Sequence, residues 1–279
     1  MSAPDSARSV FRRRIALPTD HGSWFFLATP LVIGLFAGGS VSAATPLLVV
    51  AAFAAFLIRQ PVTTAVKAYS GRRPRDELPA ARFWIAVYGL IGLAAAGGLL
   101  ALGFGYIMVL ALPAIPVFAW YLVLVSRRAE RRQMGVEILG SGVLALAAPA
   151  AYWTGIGAPD ALGGWLWALS GLQSAGSIMY AYLRLEQRVL PGIPDLRARM
   201  RMGARAIALC GANTGIALVV GIAGVIPAFV FVPFSVQFAE AVWGTVRPAV
   251  GARPARIGAR QSVVSALFTL LFIVCWRLR

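Results

Sequence analysis

Long apolar runs alternate with short arginine-rich links along this chain, and that alternation leaves few folds open. A helix needs about 20 apolar residues to cross a bilayer, within roughly 17–25. About nine runs approach that requirement: 22–37, 46–58, 83–102, 106–125, 136–156, 162–182, 207–221, 225–243 and 262–276. They do not alternate polar with apolar at period two, so each reads as a helix rather than a strand. The second and last are short, and tilt or extend into their polar flanks. The expected fold class is all-α: a polytopic membrane bundle of about nine transmembrane helices. Residues 1–21 form a basic tail, and 22–279 a single transmembrane helical domain.

Composition agrees. Hydrophobic residues make up 59% of the chain and charged residues 13%, where a soluble chain carries about a quarter charged. The net charge of +16 suggests nucleic acid at first sight. That reading is rejected, because the basic residues sit in short links between apolar runs and not on a water-soluble face. Arg8, Arg12, Arg13 and Arg14 lie in the tail. Arg59, Lys67, Arg72, Arg73, Arg75 and Arg82 join the second run to the third. Arg127, Arg128, Arg131 and Arg132 join the fourth to the fifth. Arg184, Arg188, Arg197, Arg199, Arg201 and Arg205 join the sixth to the seventh, and Arg247, Arg253, Arg256 and Arg260 the eighth to the ninth. Arg277 and Arg279 alone break the pattern, after the last run, where long side chains reach the interface. Retained cations mark the cytoplasmic side, so the N-terminus is expected inside and the C-terminus outside. After Arg14 the apolar run is too long for a cleaved signal, and another follows at once. The first span is therefore expected to stay in the protein.

A weak internal repeat divides the runs into two related four-helix halves plus one. Gly22-Ser23, Ala28-Thr29-Pro30 and Gly34 in the first run are echoed by Gly140-Ser141, Ala147-Ala148-Pro149 and Gly155 in the fifth. Pro113-Ala114 in the fourth is echoed by Pro227-Ala228 in the eighth. Glycines and alanines within runs allow close backbone approach, and the prolines kink helices for packing or to shape a cavity. Cys210 and Cys275 lie inside apolar runs with no ligand or disulfide spacing.

Polar residues at the cytoplasmic ends of the runs carry whatever chemistry the chain performs. The candidate pocket comprises Asp20, His21, Trp24, Arg59, Gln60, Glu137, Gln173, Tyr180, Arg184 and Glu240. His21 is the single histidine; beside Asp20 it is a tuned acid/base or headgroup contact, or Asp20 simply caps the first helix. Glu137 and Glu240 are intramembrane acids that pair with nearby arginines or mark a ligand path. Arg59 and Arg184 hold equivalent places in the two halves, and set topology or bind phosphate. All but Gln173 fall at about one depth and are expected to line one hollow open to the cytoplasm. No metal-spaced aspartates, Cys/His cluster, P-loop or dinucleotide motif is present, so no metal is expected and no cofactor is named.

With these residues in view, the chain resembles the YwiC-like family of bacterial integral membrane proteins. The resemblance rests on Leu17-Pro18-Thr19-Asp20-His21-Gly22-Ser23-Trp24, on Arg59-Gln60-Pro61 and on Ala148-Pro149-Ala150-Ala151-Tyr152. It implies a multi-pass protein of the bacterial cytoplasmic membrane, without an established activity. The layout is also similar to the UbiA prenyltransferase superfamily, whose links after the second and sixth spans carry Asp-rich motifs for magnesium and a prenyl diphosphate. Here those places read Arg59-Gln60-Pro61-Val62-Thr63-Thr64 and Tyr180-Ala181-Tyr182-Leu183-Arg184-Leu185-Glu186. The architecture carries over; the metal ligands do not, and arginine is the alternative diphosphate clamp. Three readings remain: a protein binding or processing an isoprenoid, prenyl phosphate or other lipid at the cytoplasmic leaflet, enzyme or not; a small-molecule transporter; and a non-catalytic membrane assembly factor.

Overall fold

The computed structural model describes residues 13–18, 21–129 and 133–278, with the backbone alone at His21. Asp20, the His21 side chain, Arg8, Arg12, Arg131, Arg132 and Arg279 lie outside the described residues. The rest is helical: α1 (Arg13–Ala16), α2 (His21–Gly38), α3 (Ala44–Tyr69), α4 (Leu78–Ala101), α5 (Ala114–Ser126), α6 (Met134–Leu144), α7 (Ala147–Ile156), α8 (Ala161–Gln187), α9 (Leu196–Ile222), α10 (Phe231–Val246) and α11 (Pro254–Arg277). Short 3-10 segments precede α4, α5 and α10, at Arg75–Glu77, Gly105–Ala111 and Ala228–Val230. Among the described residues, α2, α3, α4, the Gly105–Ser126 unit, α6 with α7, α8, α9, the Ala228–Val246 unit and α11 make nine passes.

Seven of these passes are long and apolar enough to cross a bilayer unaided. α2 is a shorter apolar helix. α8 is long enough, but Ser170, Gln173, Ser174 and Ser177 make its middle too polar to qualify. It makes up for this by position: buried residues run its whole length, from Gly163 to Gln187, and it packs on α2, α6, α7, α9, α10 and α11. The membrane need not meet a helix that its neighbours cover.

Three helix breaks have local causes. Pro149 has no N–H for the helical ladder, and the fifth pass divides at Ala145 and Leu146 into α6 and α7. There the Leu146 N–H turns to Val143 O, and the indole of Trp167 donates to the freed Gly142 carbonyl at 2.9 Å. Pro113 follows the 3-10 segment of the fourth pass and caps α5, whereas Pro227 precedes the 3-10 segment of the eighth. The two prolines of the sequence echo therefore differ in backbone form, helical at Pro113 and extended at Pro227. The first pass lacks the break of the fifth, since Pro30 sits inside an uninterrupted α2.

Several boundaries shift from those expected. The second apolar run ends at Ile58, yet α3 continues through Arg59, Gln60 and Pro61 to Tyr69. Likewise α9 begins at Leu196, ahead of the run at 207, and α11 at Pro254, ahead of 262. Backbone hydrogen bonding does not stop where hydrocarbon stops, and arginine stems lie along a helix while their heads reach water.

Two apolar cores flank one central helix pair. Leu27, Leu31, Leu48, Phe56, Leu99 and Ala151 form the core of the first half. Ile33, Tyr152, Leu166, Phe234, Phe268 and Phe272 form that of the second. α2 and α7 contribute to both. They meet through small residues: a Cβ on Gly34 would fall 2.2 Å from the Ala148 carbonyl, one on Gly38 2.9 Å from that of Tyr152, and one on Gly155 2.9 Å from the Gly38 Cα. Gly34 meets Ala148 and Gly38 meets Gly155, so the two helices run parallel. Thr269 bonds Thr29, and Arg277 the Phe36 carbonyl, so α11 runs the same way. First, fifth and ninth passes therefore point in one direction, as the four reversals between each and the next require.

At Gly34 the obstruction is backbone, which cannot step aside as a side-chain end can. Gly34→Ala is expected to cost about 3 kcal/mol or more, read as a fall in thermal midpoint in detergent. Gly97→Ala, where nothing lies within 4 Å, should be neutral or slightly stabilising. Equal midpoints for the two variants would contradict the close crossing.

Candidate functional site

The sequence candidates fall into separate groups. In the first half, the Trp24 ring packs edge-on to Phe56 at 5.1 Å between centroids, and the Arg59 guanidinium lies over the same ring at 5.2 Å. Gln60 Nε2 donates to the Arg14 carbonyl at 2.9 Å, tying α1 to α3. Glu77, which sequence reading passed over as a link residue, is the buried acid here. It pairs with Arg14 at 2.7 Å and Arg73 at 2.9 Å. Ile15 is fully buried beside Ala65, Ala80 and Ala81, so this stretch of the basic tail is packed into the bundle.

Tyr180, Arg184 and Glu240 do converge. The Tyr180 hydroxyl donates to Glu240 Oε1 at 2.8 Å, and Arg260 grips the same carboxylate with Nε at 2.6 Å and Nη2 at 2.8 Å. The Arg260 guanidinium stacks over Trp243 at 3.8 Å. Arg184 is buried, and its Nη1 lies 2.7 Å from the Gly244 carbonyl, 2.7 Å from that of Arg247 and 3.0 Å from Gln187 Oε1. Those two carbonyls belong to the last turn of α10 and the residue that follows it, the negative end of the helix dipole. The cation read as a phosphate clamp or topology marker thus caps a neighbouring helix. Gln173 is deeper, joined to Gln237 of α10, whose Nε2 donates to the Gln173 carbonyl at 2.9 Å.

Glu137 leads to a different place. Its Oε1 accepts from the Tyr182 hydroxyl at 2.8 Å, and Tyr182 lines a groove of about 280 Å³ between the start of α6, the end of α8 and the start of α9. Met134, Met179, Met202, Leu183 and Ala206 make its apolar wall, and Glu186, Arg201 and Arg205 its polar rim. Tyr182 and Glu186 lie on the face of α8 opposite Tyr180 and Arg184, because residues two apart point different ways on a helix. Sequence reading counted Arg201 and Arg205 as topology markers. Their i, i+4 spacing on α9, bracketing Met202, was the available signal. Among the described residues, no three His, Cys, Asp or Glu side chains come together.

Apolar passes, a polar central helix and charged groups gathered at helix ends define a multi-pass helical membrane protein. Its relationship is narrower than that: residues 17–152 match the model of the YwiC-like protein family. The resemblance read from the Pro18–Trp24 motif therefore holds across the first five passes, up to Tyr152 in α7. No curated protein and no solved structure matches the chain, so the UbiA-like layout rests on element order alone.

Removing Arg184 would leave the Gly244 and Arg247 carbonyls without their charged donor, and bonds to charged groups contribute about 1.5–3 kcal/mol each. Arg184→Ala is therefore expected to lower the thermal midpoint clearly, with partial recovery in Arg184→Lys, whose ammonium lacks the guanidinium fork. An unchanged midpoint in the alanine variant would show that the cap contributes nothing.

Proposed function

We propose that this protein sits in the bacterial cytoplasmic membrane, N-terminus inside, and binds an isoprenoid or other lipid with an anionic headgroup at the cytoplasmic leaflet. The observation that carries the reading is the amphipathic groove between α6, α8 and α9. Its rim has two arginines against one carboxylate, and its wall three methionines. Arg201 and Arg205 bind phosphate; near a membrane surface each basic residue contributes about 1 kcal/mol toward an anionic lipid. Methionine side chains are flexible and polarizable, and fit an irregular apolar chain. At about 280 Å³ the groove is close to the smallest ligand pockets, about 300 Å³. It holds a headgroup and the start of a tail, and the remaining tail stays in the bilayer. The Glu137–Tyr182 pair flanks the headgroup place and keeps the phenol oriented. The inward orientation follows from the arginine distribution.

Native mass spectrometry of the purified protein in nanodiscs of mixed phosphatidylglycerol and phosphatidylcholine tests this. Wild type is expected to retain an anionic lipid through delipidation. Arg201→Ala with Arg205→Ala should reduce retention about tenfold or more, at about 1 kcal/mol per arginine. Arg197→Ala, on the same helix but outside the groove lining, should retain it. Equal retention by wild type and the double variant would refute the groove as the lipid site.

A further inference from the structure

α8 carries its polar residues as a stripe. Ser170, Gln173, Ser177, Tyr180, Arg184 and Gln187 follow one another at intervals of three or four, which places them on one helix face. α10 and the residue after it oppose the stripe with Gln237, Glu240, Gly244 and Arg247. At the arginine-rich end the Tyr180, Arg184 and Glu240 side chains all have partners, as described above.

At mid-depth the matching stops. Gln173 is near the middle of α8, and Gln237 near the middle of the Ala228–Val246 unit. Gln237 spends its amide nitrogen on the Gln173 carbonyl and on Ser177 Oγ at 3.0 Å, and Asn213 of α9 spends its own on the Leu172 carbonyl at 2.7 Å. Their amide oxygens, and the Ser170 hydroxyl, have no hydrogen-bond partner among the described residues. The side chains are not near solvent: Ser170 and Asn213 are 1% exposed and Gln237 5%. A Cβ on Gly176 would lie 3.0 Å from Gln237 Nε2 and 3.3 Å from both Asn213 Nδ2 and Cys210 Sγ. The two amides therefore approach one another across that glycine, with the Cys210 thiol beside them.

A buried polar group left unmatched costs about 1–3 kcal/mol, and hydrocarbon offers nothing to relieve it. Two amide oxygens can only accept, and the hydroxyl can do either. The guest that suits them is a donor. Gln173, Ser174, Ser177, Asn213 and Gln237 are all uncharged, so nothing in the cluster calls for an ion. We propose that Asn213 and Gln237, with Ser170 one turn along the stripe, form an internal water site at the middle of the membrane, between α8, α9 and α10. It is separate from the lipid groove, and stands or falls apart from it.

The two cysteines provide the test. Both are buried, but Cys210 adjoins the amides, whereas Cys275 lies two residues from the outer end of α11, where bulk water is nearer. The full-length protein in nanodiscs is exposed to X-ray radiolysis in ¹⁸O-labelled water, and ¹⁸O incorporation at each cysteine is followed by mass spectrometry. Hydroxyl radicals made from bound water label their immediate neighbours. Cys210 is expected to take up label several-fold faster than Cys275, and Asn213→Leu with Gln237→Leu should bring its rate down to that of Cys275. Labelling of Cys210 no faster than Cys275 in wild type overturns the proposal, and that comparison requires no variant to fold. A Cys210 rate unchanged in a folded double variant overturns it equally.

Discussion

The crossing of α2 and α7 decides what else this molecule can be. Hydrocarbon gives no solvophobic drive for helices to associate, so contact must come from close packing. Gly34, Gly38 and Gly155 let two backbones approach until a single added carbon would strike a carbonyl or an α-carbon of the neighbour. Ala148 and Ala151 complete the surface. At that distance each helix presents one flank to the first-half core and the other to the second, so both cores are referred to the same axis. A larger residue in the seam would push two cores apart together, which is why the small residues cluster here and not on the lipid-facing α5.

Because that axis is dry and tightly packed, polar residues must be accommodated elsewhere, and α8 takes them. It runs beside the axis with its polar stripe covered, and its neighbours supply the partners that lipid would not. Polarity grades along it. At its arginine-rich end Tyr180, Arg184 and Gln187 meet Glu240, Arg260 and the end of α10; at mid-depth the neutral amides and serines take over. An ionised group costs more the deeper it lies, and a neutral amide costs less. The order of residue types along α8 follows that gradient.

Much of the architecture was legible from residues. Nine passes were readable because hydrophobic runs are long and because cations fell in alternate links. Helix interruptions near Pro113 and Pro227 were readable because a missing N–H acts locally. The helical extensions at the arginine-rich ends were not, since hydropathy reports where the hydrocarbon ends and not where a backbone ladder ends. The site was less legible still. Arg59, Arg184, Glu137 and Glu240 looked alike as charges at one depth, but depth is one coordinate of three. The structure sets Arg184 against the end of α10, Glu240 between Tyr180 and Arg260, Glu137 against Tyr182, and Arg59 over Phe56. Glu77 was missed because an acid flanked by arginines in a link reads as solvated surface, and its burial is set by α1 folding back onto it.

α8 thus has two chemically distinct faces, and their separation bears on how a lipid site can coexist with a polar interior. On one face Tyr182 and Glu186 open toward α6, α9 and the groove; on the other Tyr180 and Arg184 are locked to α10. Residues that bind a mobile ligand must exchange partners, whereas residues that hold a helix end must not. If both tasks fell to one arginine, every ligand departure would uncap α10. Here Arg184 holds the helix end, and Arg201 and Arg205, on the adjacent helix and exposed, are left to exchange. The face held by α10 fixes α8 in place, and the groove proposed for a lipid headgroup is built on the other face.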